Sequence, residues 1–161
     1  LTFPLIGNEP VTVHRGEPGF WIGDAALLSA QPRMITICAA KRSRVYCVQG
    51  SAIRALLERR PEYWRPFYAL SYSNTMTALR VLAEVLSLRP RARLARLLVR
   101  LADTDGVVAG SNEEFARLLG MTRSSMQRAV RSLVDDKAIE TGYGQLVIVD
   151  RPALERICNE A

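Results

Sequence analysis

Two arginines and several hydroxyl side chains are concentrated in one short stretch, GMTRSSMQR at residues 120–128. Arg123 and Arg128 lie five positions apart, with Ser124 and Ser125 between them and Thr122 before them. A guanidinium keeps its positive charge and donates hydrogen bonds in a planar fork, and hydroxyls both donate and accept. The stretch is therefore suited to an acidic partner that presents hydrogen-bond acceptors, and it contains no nucleophile with a base beside it.

The rest of the sequence gives little support to catalysis. His14 is the single histidine, and the three cysteines, Cys38, Cys47 and Cys158, show no CxxC spacing. No zinc site or disulfide framework is indicated, and a reducing cytoplasm is the expected compartment. Without a P-loop or a nucleophile–base pair, the chain is predicted not to be an enzyme and to hold no metal, and its cofactor is left unknown.

Composition bounds the class of protein. The chain has 161 residues, 48% hydrophobic and 24% charged, which is typical of a soluble globular protein of one large or two small domains. The formal charge of +6 favours nucleic acid as a partner, with an anionic membrane surface second. No apolar run is long enough for a membrane span, and no signal peptide is predicted. Because the chain begins at Leu1, we expect processing or a missing amino-terminal portion.

The first fifty residues predict β-structure. Their β-branched and aromatic runs are separated by glycines and would form about four or five short strands, including SRVYCVQ at residues 43–49. So few strands make half of a barrel or of a sandwich, with exposed edges. A partner or absent sequence is expected to complete the sheet.

A long helix is predicted from Pro61 to Leu88. Its apolar residues form two stripes, so the helix needs two neighbours. It is either a central core helix or a dimer helix that packs against its own copy, and near-heptad spacing favours the dimer. The predicted dimer interface consists of Leu79, Leu82, Val85 and Leu86.

Pro90 disfavours helix at Arg89, which places the predicted domain boundary there. The expected domains are residues 1–60, 61–88 and 89–161. The last begins with an amphipathic helix whose early arginines, Arg91 and Arg93, are expected to lie near the hinge, away from the surface that faces the DNA groove, and at most to touch phosphate.

Residues 111–134 follow the pattern of a helix-turn-helix. Ser111 and Glu114 form a capping box, Gly120 supplies the turn, and Thr122 caps a second helix over residues 123–134. The following KAIETGYGQLVIVD predicts a hairpin, or wing, and RPALERI a final short helix.

The second helix of such a unit enters the major groove of DNA, where arginine reads guanine through two hydrogen bonds. The candidate DNA-binding residues are Thr122, Arg123, Ser124, Ser125, Gln127 and Arg128. An ordinary solvated helix face is the alternative interpretation of the same residues.

The whole pattern resembles the CRP/FNR family of bacterial transcription regulators. SNEEFARLLGMTRSSMQRAVRSLVDDKAIE is similar to the family's helix-turn-helix, with Arg123 and Arg128 at its arginine positions and Ser124 where a glutamate is common. The resemblance implies an α+β fold: a partial β-roll sensor domain of cyclic-nucleotide-binding type, a long dimerisation helix and a carboxy-terminal winged helix-turn-helix. It also implies a cytoplasmic homodimer on a pseudo-palindromic double-stranded DNA site, with RNA polymerase as a candidate partner and no membrane role.

The effector is harder to predict. GFWIGDAALLSAQPRM is similar to the family's phosphate-binding cassette, and Gly23 and Arg33 match that motif. Asp24 and Met34 depart from it, and Ala78 and Leu79 stand where cyclic-AMP binders carry hydroxyls. The resemblance therefore implies an effector site at Gly23, Asp24, Arg33 and Met34, but no tight binding of cyclic AMP. It also implies that the first β-roll strands precede Leu1.

Two classes of function remain open at this point. The first is a dimeric DNA-binding regulator with an unknown effector. The second is a sensing or protein-interaction module with a cyclic-nucleotide-type ligand and no direct role on DNA.

Overall fold

The computed structural model describes residues 1–4, 10–40 and 42–160. Contacts divide the chain into two compact units, Leu1–Arg80 and Val81–Ala161. The division falls inside the longest helix, which belongs to both units. A break between helices lies at Arg89, which is extended and caps the helix that starts at Pro90. The predicted domain boundary at Arg89 stays a prediction.

The first unit contains less sheet than its sequence predicts. Strands β1 (Thr2–Pro4) and β2 (Pro10–Thr12) pair antiparallel, and Thr2 also bridges to Thr36. The expectation of four or five strands is wrong for the described residues, and residues 43–49 form none. Val45 and Tyr46 are 74% and 90% exposed, and none of the described strands pairs with the backbone of this stretch.

Two short helices complete this part of the first unit. Helix α1 (Asp24–Ser29) begins after Gly23, whose φ of 107° is a conformation that glycine adopts at low cost. Helix α2 (Gly50–Arg59) is amphipathic and buries Ile53 and Leu57.

The long helix α3 spans Trp64–Ser87 and has 24 residues. At about 1.5 Å per residue it is roughly 36 Å long. It is shorter than predicted because Pro61–Tyr63 form a separate 3-10 turn. Pro66 lies in the first turn of α3, where a backbone N–H would have no helical partner in any case.

The second unit has four further helices and a small sheet. The helices are α4 (Pro90–Leu101), α5 (Asn112–Leu118), α6 (Arg123–Asp135) and α7 (Arg151–Ile157). The strands are β3 (Val107–Ala109), β4 (Ile139–Gly142) and β5 (Gln145–Ile148), in the antiparallel order β3-β5-β4. The predicted hairpin and final helix are therefore confirmed, as is the mixed α+β class.

One apolar core holds the second unit together. Helix α4 packs against both α6 and α7 and contributes Leu94 and Leu98, which are fully buried. Phe115 of α5 and the pair Met126 and Leu133 of α6 meet them in the same cluster. Each such side chain stabilises the fold by about 1.5 to 3 kcal/mol through burial. The core thus fixes which face of α6 is left outside.

Candidate nucleic-acid interface

Helix α5 begins with the predicted capping box. The hydroxyl of Ser111 accepts a hydrogen bond from the backbone N–H of Glu114 at 3.2 Å. The carboxylate of Glu114 accepts one from the backbone N–H of Ser111 at 2.7 Å. Two backbone donors that the helix leaves unpaired are thereby satisfied, which fixes where α5 starts.

The turn between α5 and α6 depends on Gly120. Its φ of 58° lies in the left-handed region. The backbone N–H of Met121 then donates to the carbonyl of Ala116 at 2.9 Å and closes the end of α5. A Cβ atom at position 120 would meet no atom within 4 Å, so backbone conformation rather than space favours glycine there.

Helix α6 begins at the predicted cap, Thr122, whose hydroxyl accepts from the backbone N–H of Ser125 at 3.2 Å. The same hydroxyl lies 3.1 Å from the hydroxyls of Ser124 and Ser125. Helix α6 ends at Asp135, one residue beyond the prediction. Its buried side consists of Met126, Ala129, Val130 and Leu133, as its periodicity requires.

The exposed surface around the amino-terminal end of α6 carries the predicted DNA-binding residues. Ser125 is half-buried, and the other five are exposed: Thr122, Arg123, Ser124, Gln127 and Arg128. Arg123 has no hydrogen-bond or ion-pair partner among the described residues. Arg128 donates from Nη2 to the hydroxyl of Ser125 at 3.3 Å. The structure thus brings all six together around the first two turns of one helix.

The charge on this side is not balanced. No Asp or Glu occurs between Thr122 and Val134, whereas Arg131 adds a third guanidinium one turn after Gln127. Within the described residues no ion pair involves these arginines. The exposed side of α6 is therefore a source of positive potential, which attracts a polyanion.

A cleft of about 240 Å³ adjoins this surface. It is lined by Arg89, Pro90, Arg91, Ser125, Arg128, Ala129 and Ser132. The expectation that Arg91 lies apart from this surface is wrong, because α4 packs against α6 and directs Arg91 towards it. Arg93 is turned elsewhere, and its Nη1 donates to the carbonyl of Leu119 at 3.2 Å.

The wing is a tight hairpin with an aromatic tip. Strand β4 ends at Gly142, and Gly144 has a φ of 65° at the turn. Tyr143 between them is fully exposed. The turn carries no charged side chain, so the wing can offer a DNA backbone only neutral hydrogen-bonding groups.

The predicted effector site lies in the first unit. Arg33 approaches Gly23, since its Nη2 would be 3.9 Å from a Cβ placed on that glycine. Asp24 is 3% exposed, and its carboxylate accepts a hydrogen bond from the hydroxyl of Ser71 on α3. Met34 is 56% exposed. Gly23, Asp24 and Arg33 are thus close together, but the carboxylate of Asp24 is already bonded within the chain.

Cyclic AMP is expected not to bind tightly to this region. A ribose hydroxyl would have to reach a carboxylate, that of Asp24, which is 3% exposed and already accepts a hydrogen bond from Ser71. Isothermal titration calorimetry should give a dissociation constant weaker than micromolar, which corresponds to a binding free energy weaker than about −8 kcal/mol. A micromolar or tighter constant would contradict this expectation.

Helix α3 buries none of its residues in the single chain. The residues predicted at a dimer interface are about half or more exposed: Leu79 52%, Leu82 53%, Val85 47% and Leu86 77%. Tyr68 and Tyr72 nearer its start are also exposed. Contiguous apolar surface of this kind is typical of an interaction site.

Among the described residues, no helix combines the length and the apolar character needed to cross a membrane. Nor does that part of the chain bring three or more metal-ligating side chains together.

A short helix, a glycine turn, a second helix with an exposed basic side and a following hairpin define a winged helix-turn-helix DNA-binding domain. Residues 92–157 match the family model of the Crp-like helix-turn-helix domain. The match covers the winged helix-turn-helix of the second unit. No curated protein matches the chain.

Solved structures of CRP/FNR regulators share the fold. The chain is similar to TTHB099, a CRP-family transcriptional regulator of Thermus thermophilus, with 23% identity and a TM-score of 0.78 over 99% of this chain and 83% of that one. The chain is also similar to TTHA1359, a CRP/FNR-family transcriptional regulator of the same organism. The identity is 20% and the TM-score 0.73, over 99% of this chain and 82% of that one. The similarity to FixK2 of Bradyrhizobium japonicum has an identity of 19% and a TM-score of 0.63. It covers 71% of this chain and 61% of FixK2, which is less than two thirds of that protein.

Proposed function

We propose that this protein is a homodimeric, sequence-specific transcription regulator that acts on double-stranded DNA in the bacterial cytoplasm. The observation that carries the proposal is the exposed side of α6, where Arg123 and Arg128 have no acidic partner among the described residues. The capping box, Gly120 and Thr122 hold this side in a fixed place on a helix-turn-helix.

In the proposed complex α6 lies in the major groove. The first residues of such a helix face the edges of the bases. Arg123 is the first residue of α6, and its guanidinium can donate to O6 and N7 of a guanine. Arg128 reaches a second base pair, while Thr122, Ser124, Ser125 and Gln127 bond to phosphates or bases.

The exposed stripe of α3 is proposed as the dimer interface. Leu79, Leu82 and Leu86 follow one another at intervals of three and four residues, which suits packing against a second copy of the same helix. A symmetric dimer presents two copies of α6 and so reads two half-sites. The amino-terminal unit is proposed as the sensor of an unidentified effector, and RNA polymerase as a further partner.

Salt dependence separates this function from a module that binds only proteins or small ligands. Lysine and arginine that neutralise DNA phosphates release counterions, so the logarithm of the binding constant falls with the logarithm of salt by about 0.9 per phosphate. Fluorescence anisotropy with a duplex, repeated from low to physiological salt, should give a steep negative slope. Absence of DNA binding even at low salt would contradict the proposal.

A further inference from the structure

Arg91 connects three separate parts of the second unit. Its Nη1 donates to the hydroxyl of Ser132 on α6 at 3.1 Å, and its Nη2 lies 2.5 Å from the carboxylate of Asp136, the residue that caps the end of α6. Its Nε lies 3.5 Å from the carboxylate of Glu160, an ion pair without a formed hydrogen bond. The guanidinium is therefore engaged within the chain.

These contacts act on the orientation of α6. Ser132 and Asp136 are four residues apart and so share one side of the helix, near its carboxyl end. Arg123 and Arg128 lie in its amino-terminal half. Since 13 residues make a rod of roughly 20 Å, a tilt of about 10° pivoted at one end moves the other by roughly 3 Å. Such a shift exceeds the tolerance of a hydrogen bond.

The apolar core alone specifies this orientation less strictly. Burial of Met126 and Leu133 stabilises α6 on the core, but the hydrophobic effect has no direction. A charge-assisted hydrogen bond from a planar guanidinium has both direction and strength. Arg91 thus adds a directional constraint on the angle of α6 to the constraint that packing in the core supplies.

Arg91 also differs in charge from the arginines beside it. It lines the same cleft as Arg89 and Arg128. Asp136 and Glu160 compensate the charge of Arg91, whereas Arg89 and Arg128 have no acidic partner among the residues that the structure describes. The contribution of Arg91 to DNA binding would therefore come from geometry rather than from attraction to phosphate.

We propose that Arg91 is a positioning residue for base readout, which holds α6 at the angle at which Arg123 and Arg128 meet the bases, without touching DNA itself. The proposal rests on the proposed function. Loss of a positioning residue relaxes the preference among bases. Loss of a phosphate contact instead weakens binding to duplexes of every sequence by the same amount, so the two roles predict different results.

The test uses Arg91→Met, which keeps the length of the side chain and removes its donors, and Asp136→Asn, which removes the charge of its partner. Arg89→Met is the matched control, an arginine in the same cleft without an acidic partner. Each variant of the intact protein is titrated against the preferred duplex and all its single-base variants, at several salt concentrations. Thermal unfolding of each variant is followed by circular dichroism.

Arg91→Met is expected to reduce discrimination about three- to tenfold at the base pairs read by α6, with an unchanged salt slope. Asp136→Asn should also reduce this discrimination among bases, and Arg89→Met should leave it unaltered. A uniform loss with a shallower salt slope would make Arg91 a phosphate contact and overturn the proposal, as would unaltered discrimination.

If Arg91→Met does not fold, Asp136→Asn and Ser132→Ala carry the same test with the same two outcomes. Failure of the proposed function is distinguishable from failure of this inference. In the first case the unsubstituted protein itself shows no preference among duplexes. In the second case the unsubstituted protein shows a preference, and the variants keep it unchanged.

Discussion

Replacing Arg123 by alanine is expected to weaken binding to the preferred DNA site by about 1 to 3 kcal/mol and to relax the preference at one base pair per half-site. Arg123 is exposed at the first position of α6, and a guanidinium placed there can bond to both acceptors of a guanine. Anisotropy titration should show a large loss of affinity for the preferred site. The loss should be small for DNA sites that already differ at that base pair.

Arg100→Ala is the matched control for this prediction. Arg100 is an exposed arginine in the last turn of α4, so its removal lowers the net charge by the same amount without altering α6. It should change affinity little and base preference not at all. If Arg123→Ala instead lowers affinity evenly for every duplex, Arg123 is a phosphate contact and the proposed readout by this residue is wrong.

The double substitution Leu82→Lys and Val85→Lys is expected to convert the protein into monomers. Both side chains are about half exposed in the single chain, so lysine there removes no intramolecular core contact. In a dimer it would instead bury like charges against each other, which is strongly unfavourable. Light scattering should give half the mass of the unsubstituted protein.

Loss of the dimer should also weaken DNA binding steeply. A monomer contacts one half-site and loses the high effective concentration that a second linked contact provides, which is worth about two to four orders of magnitude in affinity. Ser73→Lys is the control, because Ser73 is exposed and nine residues from Leu82, about half a turn round the helix. A mass that stays dimeric in the double variant would place the interface elsewhere.

The second unit could be predicted largely from local signals. The capping box at Ser111 and Glu114, the glycine at position 120 and the cap at Thr122 each act within a few residues, and their patterns are readable in the sequence. The structure confirms each of them. Which bases the exposed residues of α6 meet stays a prediction.

The first unit was harder to predict because strands depend on distant partners. SRVYCVQ alternates like a strand, yet no neighbouring strand pairs with it among the described residues and its side chains stay exposed. The contact of Asp24 with Ser71 joins residues 47 positions apart, and that of Arg91 with Ser132 joins residues 41 apart. Periodicity and spacing carry no information on such pairs, so the contacts of Arg91 could not be predicted from the sequence.

Selection of bound duplexes from a random DNA pool with the intact protein tests the central claim most directly. Two copies of α6 in a symmetric dimer should enrich a pseudo-palindrome whose half-site centres lie about one helical turn, roughly 10 base pairs, apart, with guanine in each half. Recovery of unenriched sequences, or of a single site without two-fold symmetry, would contradict the proposal that a dimer reads DNA through α6.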